Sequence, residues 1–130
     1  MTESILWLYI TCDDKDFIIK TDQPEFDGGS NTAPTPFDLF LASLGTCAGF
    51  YVLLFCEKRN ISTKELKIKL LTESNKESGM IKKIKLEIHL PSTFPEKYKE
   101  AIIKSAETCS VARHMYNPPI LDIETILVRE

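Results

Sequence analysis

Thr35-Pro36-Phe37-Asp38 opens and Glu57-Lys58-Arg59-Asn60 closes a segment whose interior, residues 39–56, reads Leu-Phe-Leu-Ala-Ser-Leu-Gly-Thr-Cys-Ala-Gly-Phe-Tyr-Val-Leu-Leu-Phe-Cys, 18 residues without a charge. Thr35 is a good helix N-cap, and Pro36 suits a first turn, where its missing N–H is no loss. Asp38 stands three residues after the cap, as in a capping box. The spacing predicts one long helix over residues 36–60. Eighteen uncharged residues reach the length of a bilayer span. Ser43, Gly45, Thr46 and Gly49 within the stretch, and the ordinary globular character of the remainder, argue against a membrane. A helix apolar on every side must be buried on every side. In a chain of 130 residues that predicts a central helix wrapped by sheet, with a second subunit covering one side.

The flanks supply the sheet. Residues 4–11 and 17–21 are β-prone runs joined by the polar residues 12–16, which suggests a hairpin. Residues 22–35, with Pro24, Gly28, Gly29 and Pro34, form the longest stretch without apolar periodicity and read as a loop. Residues 65–74 and 80–90 alternate as two further strands joined around residues 75–79. Thr93-Phe94-Pro95-Glu96 repeats the capping-box pattern and predicts a second helix with Tyr98, Ala101, Ile102, Ser105, Ala106 and Cys109 on one face. Residues 120–128 are expected to return as a strand. The order ββ, helix, ββ, helix, β predicts a single α+β domain over residues 1–130 with mainly antiparallel sheets.

Charge excludes some partners. The net charge is −3, so nucleic acid is not expected. Residues 61–105 hold 10 basic and 6 acidic groups, but Lys67, Lys69, Lys83 and Lys85 alternate with Ile68, Leu70, Ile84 and Leu86, which reads as a solvated sheet face. The acidic start, Met1-Thr2-Glu3-Ser4, and the absence of a small-residue cleavage site after the apolar run predict no export signal, hence a cytoplasmic setting. There, four cysteines (Cys12, Cys47, Cys56, Cys109) are not a disulfide framework. No pair has CxxC spacing, so no metal site is expected.

Cys47, with Phe40, Ser43, Leu44, Phe50, Tyr51 and Leu54 on its helix face, reads on its own as an inert core thiol. Gly45 and Gly49 on either side leave a gap through which a backbone or small substrate can approach. Cys109 precedes Ser110-Val111-Ala112-Arg113-His114 and is expected at the N-terminus of a new helical turn. Amide dipoles there, with Arg113 and His114 if they fold back, favour a thiolate. Cys12 and Cys56 read as packing residues.

The run Gly28-Gly29-Ser30-Asn31-Thr32-Ala33-Pro34-Thr35-Pro36-Phe37-Asp38-Leu39-Phe40-Leu41-Ala42-Ser43-Leu44-Gly45-Thr46-Cys47 resembles the segment of the OsmC/Ohr proteins (osmotically inducible protein C, organic hydroperoxide resistance protein) that leads into their peroxidatic cysteine. Glu107-Thr108-Cys109-Ser110-Val111 resembles the family's second-cysteine motif. The resemblance implies an intertwined homodimer with mainly antiparallel sheets around two long helices. It also implies a thiol peroxidase site at the subunit interface. Cys47 would be oxidised by an organic hydroperoxide to a sulfenic acid, and Cys109 would close a disulfide that an external dithiol reduces, with no cofactor. Phe37, Phe40, Phe50 and Tyr51 would line a pocket for a small apolar hydroperoxide. The family's peroxidases pair an N-terminal arginine with a glutamate directly after the helix-opening proline. In this chain no Arg precedes Arg59, and Phe37 follows Pro36. The resemblance is thus to a branch lacking that arginine, with Asp38, Lys20 and Arg113 as candidate replacements. The alternative on the same fold is a non-catalytic protein that binds a fatty-acyl or other lipid-like ligand or senses oxidation.

Overall fold

The computed structural model describes residues 6–12 and 15–129, with side chains from Ile18 onward. They cluster into two compact units, Met1–Thr46 with Ile68–Glu87, and Cys47–Lys67 with Ile88–Glu130.

In the first unit, strands β1 (Leu6–Cys12) and β2 (Lys15–Thr21) pair antiparallel from Leu6 opposite Thr21 to Cys12 opposite Lys15. The expected hairpin is present. Its connecting residues Asp13 and Asp14, and the packing expected of the Cys12 side chain, lie outside the described residues. The loop after β2 is organised by a carboxylate. Asp22 is only 1% exposed, and its Oδ1 accepts from the Gln23 amide at 2.9 Å. Its Oδ2 accepts from the Ser30 amide at 3.3 Å, the Thr32 amide at 3.0 Å and the Thr32 hydroxyl at 2.6 Å. Backbone bonds from Asp22 to the Pro34 carbonyl and from Asn31 to the Gln23 carbonyl close the same loop. Gly29 packs so closely on Gln23 that a Cβ there would collide with the Gln23 backbone. The second glycine of Gly28-Gly29 is therefore fixed by space.

Helix α1 (Pro36–Lys58) begins where the sequence places it. The Thr35 amide donates to Asp38 Oδ2 and the Asp38 amide to Thr35 Oγ1, each at 3.0 Å, a reciprocal capping box. At the far end Asn60 takes φ 55°. The Ile61 amide reaches the Cys56 carbonyl and the Asn60 amide the Glu57 carbonyl, the bond pair of a Schellman motif. Strands β3 (Lys67–Ser74) and β4 (Ile81–His89) pair across a turn in which Asn75 Oδ1 accepts from the amides of Glu77 and Ser78. Ile68, Leu70, Ile84 and Leu86 are half-buried, while Lys67, Lys69, Lys83 and Lys85 are exposed. The basic run is a solvated face.

In the second unit, a 3-10 turn at Glu96–Tyr98 runs into α2 (Lys99–Glu107), followed by α3 (Ser110–Tyr116). The second long helix expected over this region is thus divided, and its expected capping box does not form. Pro95 disfavours helical backbone at Phe94. Phe94 is instead buried, and the first turn starts at Pro95, whose carbonyl accepts from the Tyr98 amide at 3.0 Å.

Along α1 the fully buried residues are Leu44, Ala48, Val52, Phe55 and Cys56, a stripe at spacings of four and three. The opposite side is open, with Phe50 60% and Leu53 42% exposed. The helix expected to be buried on every side is buried on one within this single chain. Residues 117–129 have no regular secondary structure, and Ile120, Leu121, Ile123, Ile126, Leu127 and Val128 are all exposed. The strand expected over residues 120–128 finds no hydrogen-bonded neighbour among the described residues, and a strand exists only by pairing.

The loop account yields a comparison. Asp22→Ala strands several amide donors in a buried loop and costs about 2–4 kcal/mol, whereas Asp38→Ala, at an exposed cap, costs about 1 kcal/mol. Urea unfolding of both variants measures the difference. Equal losses would show that Asp22 does not hold the loop.

Candidate active site

The second unit brings Cys47 and Cys109 together through an antiparallel helix seam. On α1, Cys47, Tyr51 and Phe55 recur every four residues and so lie on one face. On the opposing side they meet, in reverse chain order, Cys109, Ser105 and Tyr98. The Phe55 and Tyr98 rings pack edge to face with centroids 5.7 Å apart. The Ser105 hydroxyl donates to the Tyr51 carbonyl at 3.5 Å. Cys109 has Cys47 as a hydrogen-bonding and electrostatic neighbour. Ile102 and Val52, at 1% and 0% exposure, anchor the same unit, each burial contributing about 1.5–3 kcal/mol. At the end of the seam the Arg59 guanidinium lies 3.6 Å from the Phe55 ring centroid and donates to the Phe55 carbonyl at 3.1 Å.

Cys47, Cys56 and Cys109 are free thiols. Cys47 is half-buried, at mid-helix. Cys109 is fully buried and occupies the N-cap of α3, where its sulfur accepts from the Ala112 amide at 3.3 Å. The placement is the one expected from sequence. Its electrostatics are not, because burial pushes the Cys109 thiol above the ordinary thiol range. Burial outweighs the amides of Ala112 and Val111, which pull it down, and the neighbouring Cys47 sulfur pushes it further up. Arg113 is exposed on α3, and His114 donates from Nδ1 to the Ser110 carbonyl at 2.6 Å. Cys56 is buried and likewise raised by desolvation, against a lowering by Arg59. It packs as expected.

The other residues singled out are spread over both units. Phe50 and Tyr51 belong to the unit of the cysteine pair and pack edge to face at 5.4 Å, Phe50 exposed and Tyr51 half-buried. Phe37 and Phe40, with centroids 5.3 Å apart, belong to the first unit. Asp38 is exposed there and engaged in the capping box. Lys20 is exposed in β2. Gly45, expected to open a gap, faces Leu70: a Cβ added to it would stand 3.9 Å from Leu70 Cδ1, an ordinary contact. Sequence reasoning passed over Asp22, the buried centre of the loop leading into α1. Its signal was available as an acidic residue directly after a strand and before a Gly-Gly pair. Among the described residues no three His, Cys, Asp or Glu side chains converge to hold a metal ion.

One thiol in the interior of α1 and a second at the N-cap of α3 make a dithiol pair within the second unit of this α+β chain. A model of the OsmC-like proteins matches residues 28–124, and the chain belongs to that family. No curated protein matches it in sequence. Among solved structures, a Psychrobacter arcticus 273-4 protein assigned to osmotic stress induction and the detoxification response superposes with a TM-score of 0.65. It is 17% identical, over 87% of this chain and 88% of that one. The fold is OsmC-like. A Legionella pneumophila organic hydroperoxide resistance protein OsmC aligns at 17% identity over 88% of this chain and 90% of that one, with a TM-score of 0.47. Helix α1 is long and apolar enough to cross a bilayer, and one side of it, through Leu44, Ala48, Val52, Phe55 and Cys56, is buried within the chain.

The raised thiols make stability fall with alkali. A thiol whose pKa is higher folded than unfolded contributes its stability below the unfolded value and loses it as pH rises toward the folded one. The thermal midpoint is expected to drop between about pH 8 and pH 10, and Cys109→Ser to drop less over that interval. Identical slopes for the two proteins would contradict the burial of this thiol.

Proposed function

We propose that the protein is a thiol-dependent peroxidase that reduces organic hydroperoxides through Cys47 and Cys109. One observation carries the reading: in an OsmC-like chain, a half-buried free thiol on the central helix neighbours a fully buried free thiol at a helix cap. Two adjacent thiols do not ionise together; the more buried keeps its proton. Cys109 therefore keeps its proton, with Cys47 as its hydrogen-bonding neighbour.

The Cys47 thiolate attacks the outer oxygen of R–O–O–H. An S–O bond forms, the O–O bond breaks, and the leaving alkoxide takes a proton to become the alcohol, giving Cys47 sulfenic acid. The Cys109 sulfur then attacks the Cys47 sulfur. Its proton joins the departing hydroxide as water, and the disulfide closes. An external dithiol reopens it by thiol–disulfide exchange, a step suited to the reducing cytoplasm. Phe50 and Tyr51 offer an apolar wall on the cysteine side. Asp38, Lys20 and Arg113 are supporting residues in this reading, and a single domain over residues 1–130 is its unit.

The reading includes a homodimer. The open side of α1 and the exposed apolar side chains of residues 120–128 are what a second copy would cover, over more than ~2,000 Å² in total. The alternative, apolar-ligand binding with the thiols only sensing oxidation, draws support from the raised Cys109 thiol, which makes for slow resolution.

Cys47→Ser is expected to abolish consumption of cumene hydroperoxide with a dithiol present. Cys109→Ser is expected to leave a single turnover and a trappable sulfenic acid at Cys47. No consumption by the wild-type protein, together with a co-purifying lipid, would replace the enzyme by the binding reading. Sedimentation is expected to show a dimer at micromolar concentration; a stable folded monomer would remove the interface.

A further inference from the structure

The Cys109 sulfur does two things that compete. It caps α3 by accepting from the Ala112 amide at 3.3 Å, and it neighbours Cys47 without being bonded to it. A disulfide brings two sulfurs to about 2.05 Å, far inside the roughly 3.5 Å of non-bonded contact, so one of them must move.

Cys47 sits in the interior of a helix of 23 residues, where rotamer choice is narrow and the backbone is held on both sides by main-chain bonds. Cys109 sits at a break in the helical backbone, with φ −62° and ψ 144°, and leads into a helix of seven residues that buries none of them. A helix that short has no stability of its own in water. The cap at Cys109 and the following Arg113 amide bond to the Cys109 carbonyl are therefore a large part of what holds α3.

We propose that the redox state of the Cys47–Cys109 pair sets the helicity of α3: closing the disulfide draws the Cys109 sulfur off the Ala112 amide, and α3 unwinds from its N-terminus. Reduction returns the sulfur and restores the helix. Because α3 directly precedes residues 117–129, unwinding lengthens the non-helical chain that carries Ile120, Leu121, Ile123, Ile126, Leu127 and Val128. The protein thereby carries a structural signal of its oxidation state as well as a chemical one. The inference rests on the proposed reading for its natural oxidant, an alkyl hydroperoxide, but the disulfide itself can be made without peroxide chemistry. With diamide, two S–H bonds are lost and one S–S bond forms, and both hydrogens with their electrons pass to the N=N bond.

The test is amide hydrogen exchange of the full chain, reduced with dithiothreitol or oxidised with diamide, with the disulfide assigned by peptide mass mapping. Exchange of the amides of residues 112–116 is expected to quicken on oxidation by on the order of fivefold, as for loss of a cap. In Cys109→Ser, whose hydroxyl caps but cannot bridge, α3 is expected to stay protected under both conditions. In Cys109→Ala, which has no acceptor, the reduced protein is expected to exchange already at the faster rate. A mapped Cys47–Cys109 disulfide with α3 exchange unchanged would overturn the proposal, as would failure of diamide to form that disulfide. Loss of peroxide turnover with the diamide response intact would overturn the peroxidase reading alone.

Discussion

The four-residue spacing of Cys47, Tyr51 and Phe55 is the constraint on which the rest of the second unit depends. It places a thiol, a backbone carbonyl and an aromatic ring in one line along α1, and the returning chain answers them with Cys109, Ser105 and Tyr98. None of the three contacts is strong alone. An edge-to-face aromatic pair contributes about 0.5–1.5 kcal/mol beyond its buried area, and a 3.5 Å hydroxyl bond contributes less. Their effect is positional: with Ile102 and Val52 buried in the same unit, they fix the register in which α2 meets α1, and a shift by one residue would carry Cys109 away from Cys47. The chemistry is set by packing.

The same packing explains why the two thiols differ. They are chemically identical groups in one unit, yet Cys47 retains exposure and Cys109 has none. The helix cap alone would lower the Cys109 thiol, since its sulfur receives amide donors, but desolvation acts more strongly on a group with no water contact. The cap then serves geometry more than acidity: it orients the buried sulfur and begins a new helix, so one atom links the dithiol to the backbone beyond it.

Most of the architecture was legible because it is local. The Thr35–Asp38 capping box, the end of α1 near Asn60, both hairpins and the position of Cys109 before a helical turn follow from residues a few positions apart. What escaped the sequence depends on the surroundings. The box expected at Thr93 fails because Pro95 and the burial of Phe94 impose a different entry. The strand expected at residues 120–128 needs a neighbour that the described residues do not offer. Asp22 was passed over because a carboxylate in a loop reads as solvated until its four donors are seen around it. The two cysteines were visible as family motifs, whereas the reversal of the electrostatics expected at Cys109 came only with its 0% exposure.

The proposed mechanism runs without the arginine of the family's peroxidases and relies on the thiol pair itself. A buried neutral thiol beside Cys47 is a donor that cannot easily lose its proton, because both desolvation and the charge it faces oppose ionisation. That donor is weaker than a guanidinium fork, which favours a slower first step. In the proposed cycle it is also self-limiting, since Cys109 must give up that proton to resolve the sulfenic acid. Once Cys47 is oxidised it no longer carries the charge that opposed ionisation of Cys109, and one of the causes raising that thiol disappears. In the proposed cycle the order of the two steps would follow from this influence, oxidation of Cys47 removing one of the causes that raise the Cys109 thiol.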